Sequence, residues 1–377
     1  MSHSRSLFVG KALYFFVYAG LGILLPFLNI HFREIGLSGT QIGLINTLGP
    51  LVAIFSGPIW GMMADRLGRM RLLLGIVTLG AMFAVMGLSA VKSFGSILLL
   101  MTIYNLFGSA IIPLVDSYNL LLLGEHRDRY SEQRIWGTIG FLATSPLNGF
   151  ILERTGVNAI FWGYSICLGL FTVTVIGLPP MQARIRQAVF KGFAQMLKQK
   201  AWLVLAASLI LVMLANNSWV NFLGIAMKQM GGSDGLVGTA WSMGALSELP
   251  VMLLGSRLLY RLGAKKMVTL GFFFYGLRMI LYGLMPAPEW ALGIGLMHGI
   301  SFGFYWLGSV NYVSEIAPEE LRATGQSMLA TFYNIASVFG APLIGWLFDA
   351  IGASWMFLLA GVIAWLGAGV FWSGRNR

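Results

Sequence analysis

The chain has 377 residues, 57% of them hydrophobic and only 10% charged, where a soluble protein carries about 25% charged. That much apolar side chain cannot be hidden inside a water-soluble fold of this length, so the composition excludes a soluble enzyme and makes lipid the solvent. The net charge of +11 does not imply nucleic acid, because the basic residues lie in short segments between apolar runs, as a membrane topology signal does.

The apolar runs predict helices at roughly 7–32, 39–64, 71–91, 94–123, 132–152, 157–178, 201–228, 235–260, 266–286, 290–315, 321–348 and 354–373, each near the length that crosses the hydrocarbon. The first run has no small-residue cleavage site and reads as a retained helix, not a signal peptide. Glycines at small-xxx-small spacing, such as Gly57 and Gly61, predict close helix contacts. The single cysteine, Cys167, lies in an apolar run and reads as a packed thiol. His31 and Lys11 sit at helix ends, where snorkelling to the interface explains them.

Placing both termini in the cytoplasm puts all but five of the 25 lysines and arginines on that side. The exceptions are Arg33, Lys92, Arg154 and Lys228 outside, and Arg278 in mid-helix. This bias requires an even number of spans. The expected location is the plasma membrane, which the chain crosses several times, and which is the inner membrane if the cell is Gram-negative. Residues 179–200 carry five basic and no acidic residues, with Val189, Phe193 and Met196 at helical spacing. They predict either a short amphipathic helix on the anionic leaflet or a plain basic spacer.

The chain repeats itself. FLNIHFREIGLSGTQIG (27–43) aligns without gaps to FLGIAMKQMGGSDGLVG (222–238), and PLNGFILERTG (146–156) to PLIGWLFDAIG (342–352), at offsets of 195 and 196. The expected fold is an all-α membrane protein of twelve transmembrane helices in two pseudo-symmetric six-helix bundles. The bundles are 1–178 and 201–377, joined by the cytoplasmic linker 179–200.

GMMADRLGRMR (61–71) follows the second helix, with a degenerate copy, SRLLYRLGAKK, at 256–266. Gly61 allows close helix contact, Gly68 a tight turn. Asp65 can cap a helix end or pair with a base. This spacing resembles the signature loop between helices two and three of the major facilitator superfamily, as does APEELRATGQS (317–327) before helix eleven. The resemblance implies that Gly61, Asp65, Arg66, Gly68 and Arg69 form a conformational latch.

Ionised side chains inside apolar helices cost about 2.5–3.5 kcal/mol each on insertion scales, which marks them as functional. Asp116, Arg134, Glu248, Arg278 and the titratable His298 are the candidates. Helices four and five form a hairpin, which would let Asp116 and Arg134 meet, as a ligand site or as an ion pair that fixes the hairpin. IPLVDSYN and EQRIWGTIGF are similar to helices four and five of the lactose permease group. There an acidic residue and an arginine hold the sugar's hydroxyls, which implies substrate contact for Asp116 and Arg134. Aspartate replaces that group's glutamate.

Glu248 and Arg278 lie equally far from the 261–265 loop, so neighbouring helices would put them at one depth. They form either a proton site at Glu248 modulated by Arg278 or a static bridge. Arg278 and His298 match the arginine and histidine of the lactose permease group's proton machinery. Ser301 and Asn334 stand where that group has a carboxylate and a lysine. The chain is also similar to the phenylpropionate permease and nucleoside–proton symporter branches. Tyr14, Tyr18, Asn119, Asn217, Asn221, Tyr305 and Asn311 supply polar and aromatic groups to the expected cavity walls, or helix-packing contacts.

No Walker loop, metal cluster or catalytic triad is present in the sequence. The expectation is a monomeric secondary active transporter without cofactor or metal, and not an enzyme. It would carry protons and a small polar organic solute (a sugar, nucleoside or aromatic acid) by symport and alternating access. The alternative is a proton-driven drug or metabolite efflux antiporter.

Overall fold

The computed structural model describes residues 3–178 and 192–374, and all regular structure among them is helical. The first six spans are α1 (His3–Glu34), α2 (Gly39–Leu67), α3 (Met70–Leu88), α4 (Phe94–Leu123), α5 (Tyr130–Thr155) and α6 (Ile160–Ile176). After a single turn, α7 (Phe193–Met196), come α8 (Lys200–Gln229), α9 (Asp234–Leu253), α10 (Gly255–Leu262), α11 (Ala264–Leu284), α12 (Trp290–Gly295), α13 (Phe304–Ile316) and α14 (Arg322–Ser373). Of the expected linker helix, Phe193–Met196 is helical with Met196 buried, while Val189 lies outside the described residues.

Ten of these helices are long and apolar enough to cross a bilayer. One of them, α14, is two spans joined at Gly352, whose φ of 76° breaks the helix. The α12–α13 segment is a further span, interrupted by a π-helical turn at Gly299–Gly303. Together they make the expected twelve. The eighth span is not one helix, as the hydropathy implies; it breaks at Leu254, between α9 and α10.

The duplication is written in the backbone. Left-handed glycines occur at Gly36 and Gly231, Gly68 and Gly263, Gly156 and Gly352, three pairs separated by 195 or 196 residues. A side chain is strained at such a φ, so each pair marks the same turn built twice.

Two compact units result. One holds α1, α3–α6, most of α2 and the start of α9 (Ser233–Ser242); the other holds Ser38–Thr47 at the start of α2, α7, α8, α10–α14 and the rest of α9. The units thus depart from the sequence halves by exchanging the ends of α2 and α9. Each exchanged end is received by a carboxylate on a repeat-related helix. Asp349 of α14 accepts from the Gly39 and Thr40 amides at 2.7 and 2.8 Å, and from the Thr40 hydroxyl at 2.9 Å. Glu153 of α5, 196 residues earlier, accepts from the Gly235 amide at 3.0 Å. These bonds satisfy amides that a helix start leaves open. Gly43 and Gly345 in one crossing, and Gly149 and Gly238 in the other, leave no room for a Cβ against the facing backbone.

Close packing therefore falls at these glycines and not at Gly57, where a Cβ would meet open space. His31 also departs from expectation. It is buried, edge-on to Phe161 at 4.8 Å, and does not snorkel outward. Cys167 is a free, half-buried thiol.

Candidate functional site

In the first unit a polar cluster joins α1, α4 and α5. Helical spacing puts Tyr14 and Tyr18 on one face of α1, and Tyr130 and Arg134 on one face of α5. Asp116 and Arg134 do not form the ion pair the hairpin suggested. Asp116 Oδ1 instead accepts from the hydroxyls of Tyr14 at 2.5 Å and Tyr130 at 2.9 Å. Arg134 Nη2 donates to the Tyr18 hydroxyl at 2.5 Å, and the guanidinium lies 4.0 Å from the centre of the Tyr18 ring. The reason is the interposed phenols. A tyrosine hydroxyl solvates a charge as water would, and the aromatic face attracts the cation. Asp116 Oδ2 and Arg134 Nη1 have no partner among the described residues, and both side chains are half-buried. Each charge thus keeps one unengaged edge.

Beside this cluster, Asn119 donates to the Val115 carbonyl at 3.1 Å. Its Oδ1 and the Oε1 of buried Gln133 have no hydrogen-bond partner among the described residues. Both amides pack at Gly10 of α1, where a side chain would collide with them. Tyr130 and Gln133 were not singled out from the sequence. Their positions four residues and one residue before Arg134, on the same helix, are the signal that could have found them.

In the second unit the charges are chained. Arg278 of α11 is fully buried. Its Nη1 meets Nδ1 of His298, whose Nε2 lies 3.0 Å from Glu248 Oε1. An arginine has only donors, so Nδ1 must accept, and the neutral imidazole then carries its proton on Nε2 and donates to the carboxylate. Glu248 and Arg278 are therefore not bridged directly; the imidazole stands between them. Trp219 stacks on His298 at 4.7 Å and lies under Arg278 at 4.9 Å, with Tyr275 at 5.0 Å from the same cation. Phe302 also stacks on His298, at 5.3 Å. Arg278 Nε and Nη2 are buried without a hydrogen-bond partner among the described residues, while the Glu248 side chain keeps 29% of its surface open. One end of the chain of contacts is fully buried and the other is partly exposed.

The local backbone makes this possible. Gly299 packs against the Ser247 carbonyl, and its amide donates to Ser247 Oγ at 2.8 Å, which pins the π-turn beside Glu248. Insertions of this kind re-aim side chains at functional positions. Ser301, where a carboxylate was missing, donates to the His298 carbonyl at 3.2 Å.

Other sequence candidates are placed less tellingly. Asn217 and Asn221 are buried and bonded to each other at 3.3 Å. Tyr305 is buried, stacked on Phe272 and edge-on to Tyr275. Asn311 donates to the Leu307 carbonyl of its own helix at 2.8 Å. In the signature loop Gly61 is buried, Gly68 makes the turn at φ 57°, and Arg66 and Arg69 are exposed. The Asp65 side chain lies outside the described residues. No group of three or more metal-ligating side chains occurs among the described residues.

Residues 7–359 match the family described as "MFS_1 like family". The chain belongs to that family. Within the family's reach, it is 29% identical over 354 residues to a protein named maltose permease from Geobacillus stearothermophilus, covering 91% of this chain and 89% of that one. It is 26% identical over 392 residues to a probable 3-phenylpropionic acid transporter of Escherichia coli (strain K12), covering 99% and 94%. Its fold superposes on the crystal structure of the nucleoside transporter NupG with a TM-score of 0.87 over the whole of both chains, at 16% identity. Membership makes this protein a multi-pass membrane transporter of small solutes and not an enzyme.

Proposed function

We propose that the protein is a proton-coupled importer of a small polar organic solute, acting by alternating access. It would work as a monomer in the plasma membrane, the inner membrane if the cell is Gram-negative, with both termini cytoplasmic. The observation that carries this reading is the Arg278–His298–Glu248 relay. With Glu248 ionised the relay holds one positive and one negative charge. A proton on Glu248 leaves it with a net positive charge in apolar surroundings, a state that favours a different arrangement of the helices around it. Each charge that then crosses 100 mV releases about 2.3 kcal/mol.

The solute belongs to the Asp116 cluster. The unengaged edges of Asp116 and Arg134 fit hydroxyl, amine or carboxylate groups, and the tyrosine rings fit a sugar or aromatic face. The names of the maltose and phenylpropionic acid relatives support hydroxylated and aromatic solutes as the classes to try first.

The test is uptake of labelled solute into right-side-out vesicles under an acid-outside gradient, with the solute chosen by thermal-shift screening. The parent protein should accumulate it. Glu248→Gln should bind and exchange it but not concentrate it. Uphill uptake surviving in that variant removes Glu248 from coupling, and gradient-driven expulsion by the parent reverses the direction to efflux.

A further inference from the structure

We propose that the turn before α3 is a binding site for one anionic phospholipid, its phosphate between Arg69 and Arg71 and an acyl chain in the trough between α3 and the end of α6. A cavity of about 430 Å³ opens at this place, lined at its mouth by the two arginines and along its length by Gly75, Ile76, Leu79 and Ile176. Both arginines are exposed and have no hydrogen-bond or ion-pair partner among the described residues. Guanidinium groups recognise phosphate oxygens by paired donors. Leu79 is 38% and Ile176 60% exposed, so the trough is open to the bilayer. A Cβ added at Gly75 would meet nothing, so the trough has depth beneath that glycine.

The same feature is built a second time. In the other unit a cavity of about 470 Å³ opens at the repeat-related turn, lined by Gly263, Lys265, Lys266, Glu315 and Trp372. Gly68 corresponds to Gly263 and Arg71 to Lys266 at an offset of 195, and both turns have a left-handed glycine. Each is closed by the end of its unit's sixth span, α6 in one and α14 in the other. The copies differ in strength. Lys265 Nζ is taken by the Gly374 carbonyl, and Glu315 places a negative charge at the mouth. The first site therefore dominates.

A lipid fits better than a free phosphate, because the walls beyond the arginines are apolar and would gain nothing from a small hydrophilic ion. On the orientation proposed above, this face meets the cytoplasmic leaflet, where anionic headgroups reside.

Native mass spectrometry of the full chain in mild detergent decides it, with phosphatidylglycerol titrated against phosphatidylcholine of the same chains. One strongly retained phosphatidylglycerol is expected, and a second, weaker one that Lys266→Gln removes. Arg69→Gln with Arg71→Gln should weaken the strong adduct roughly thirtyfold, given the contribution of each basic residue near an anionic surface. Gly75→Phe, which leaves both charges in place, should abolish the same adduct; should the double variant fail to fold, Gly75→Phe and Arg71→Gln alone decide. Millimolar inorganic phosphate should not compete. Equal retention of phosphatidylcholine, displacement by inorganic phosphate, or undiminished phosphatidylglycerol retention in Gly75→Phe and the arginine variants overturns the proposal.

Discussion

In each unit one carboxylate and one guanidinium inside the apolar helices stand out, Asp116 with Arg134 and Glu248 with Arg278, and they are held in opposite ways. In the first, Asp116 and Arg134 are held apart, each solvated by tyrosine hydroxyls and each left with an unengaged edge. In the second, Glu248 and Arg278 are wired together through His298, and the cation is entirely buried. A hydroxyl can yield its place to a ligand hydroxyl at little net cost, because one hydrogen bond replaces another. An imidazole whose Nδ1 is held by an arginine that stays charged can share its Nε2 proton only with the carboxylate. On the proposed function, the same scaffold, duplicated, serves ligand exchange in one unit and proton coupling in the other.

The largest effect that sharpens this contrast is at Arg278. Arg278→Gln takes the charged donor from His298 Nδ1 and the cation from the faces of Trp219 and Tyr275, and should lower stability by about 2–3 kcal/mol, read as a fall in thermal unfolding midpoint. Adding Glu248→Gln to it should recover part of that loss, whereas simple additivity would break the idea of a coupled relay. Next is Asp116→Asn. It should weaken solute affinity roughly tenfold to a hundredfold in the thermal-shift assay, the range for a hydrogen bond to a charge. Glu248→Gln, by contrast, should leave that affinity within about twofold. If both variants weaken binding equally, the division of labour between the units is lost.

A smaller effect separates the two phenols on Asp116. Tyr14→Phe should weaken solute binding about tenfold and Tyr130→Phe less, since the former bond is the shorter, at 2.5 against 2.9 Å, and comes from a fully buried residue. The smallest tests the repeat itself, at the exchanged helix ends. Asp349→Asn weakens the acceptor of three hydrogen bonds and should cost about 1–2 kcal/mol in unfolding free energy; Glu153→Gln, which weakens the acceptor of the Gly235 amide, should cost about half that.

Much of the fold was legible because lipid leaves few options. A run of apolar residues long enough to cross must be helical, and the spacing of runs, the basic loops and the 195-residue repeat could be read directly. Gly68 and Gly263 were legible as turns for the same local reason. The breaks were not. Leu254 and the π-turn at Gly299–Gly303 lie inside continuous apolar runs, and hydropathy averages over them.

The site was legible in kind and not in wiring. Asp116, Arg134, Glu248, Arg278 and His298 stand out because a charge in a helix core is costly, whatever surrounds it. Depth along the helix suggested which pairs lie level, but not what comes between them. That Tyr14 and Tyr130 reach Asp116 first, and that His298 intervenes between Glu248 and Arg278, depends on helix rotation and on side chains more than a hundred residues away for Tyr14 and Asp116.

Composition and periodicity alone determined that the chain spans a membrane as twelve helices in a doubled pattern, since burial of apolar residues and satisfaction of backbone groups are local demands. Only the tertiary structure decided how the doubled halves differ. Which charge meets a phenol and which meets an imidazole is a matter of which helix faces which. It also decided that the ends of α2 and α9 exchange units under the carboxylates of Asp349 and Glu153, because a helix start takes its partner from whatever acceptor packing brings within reach.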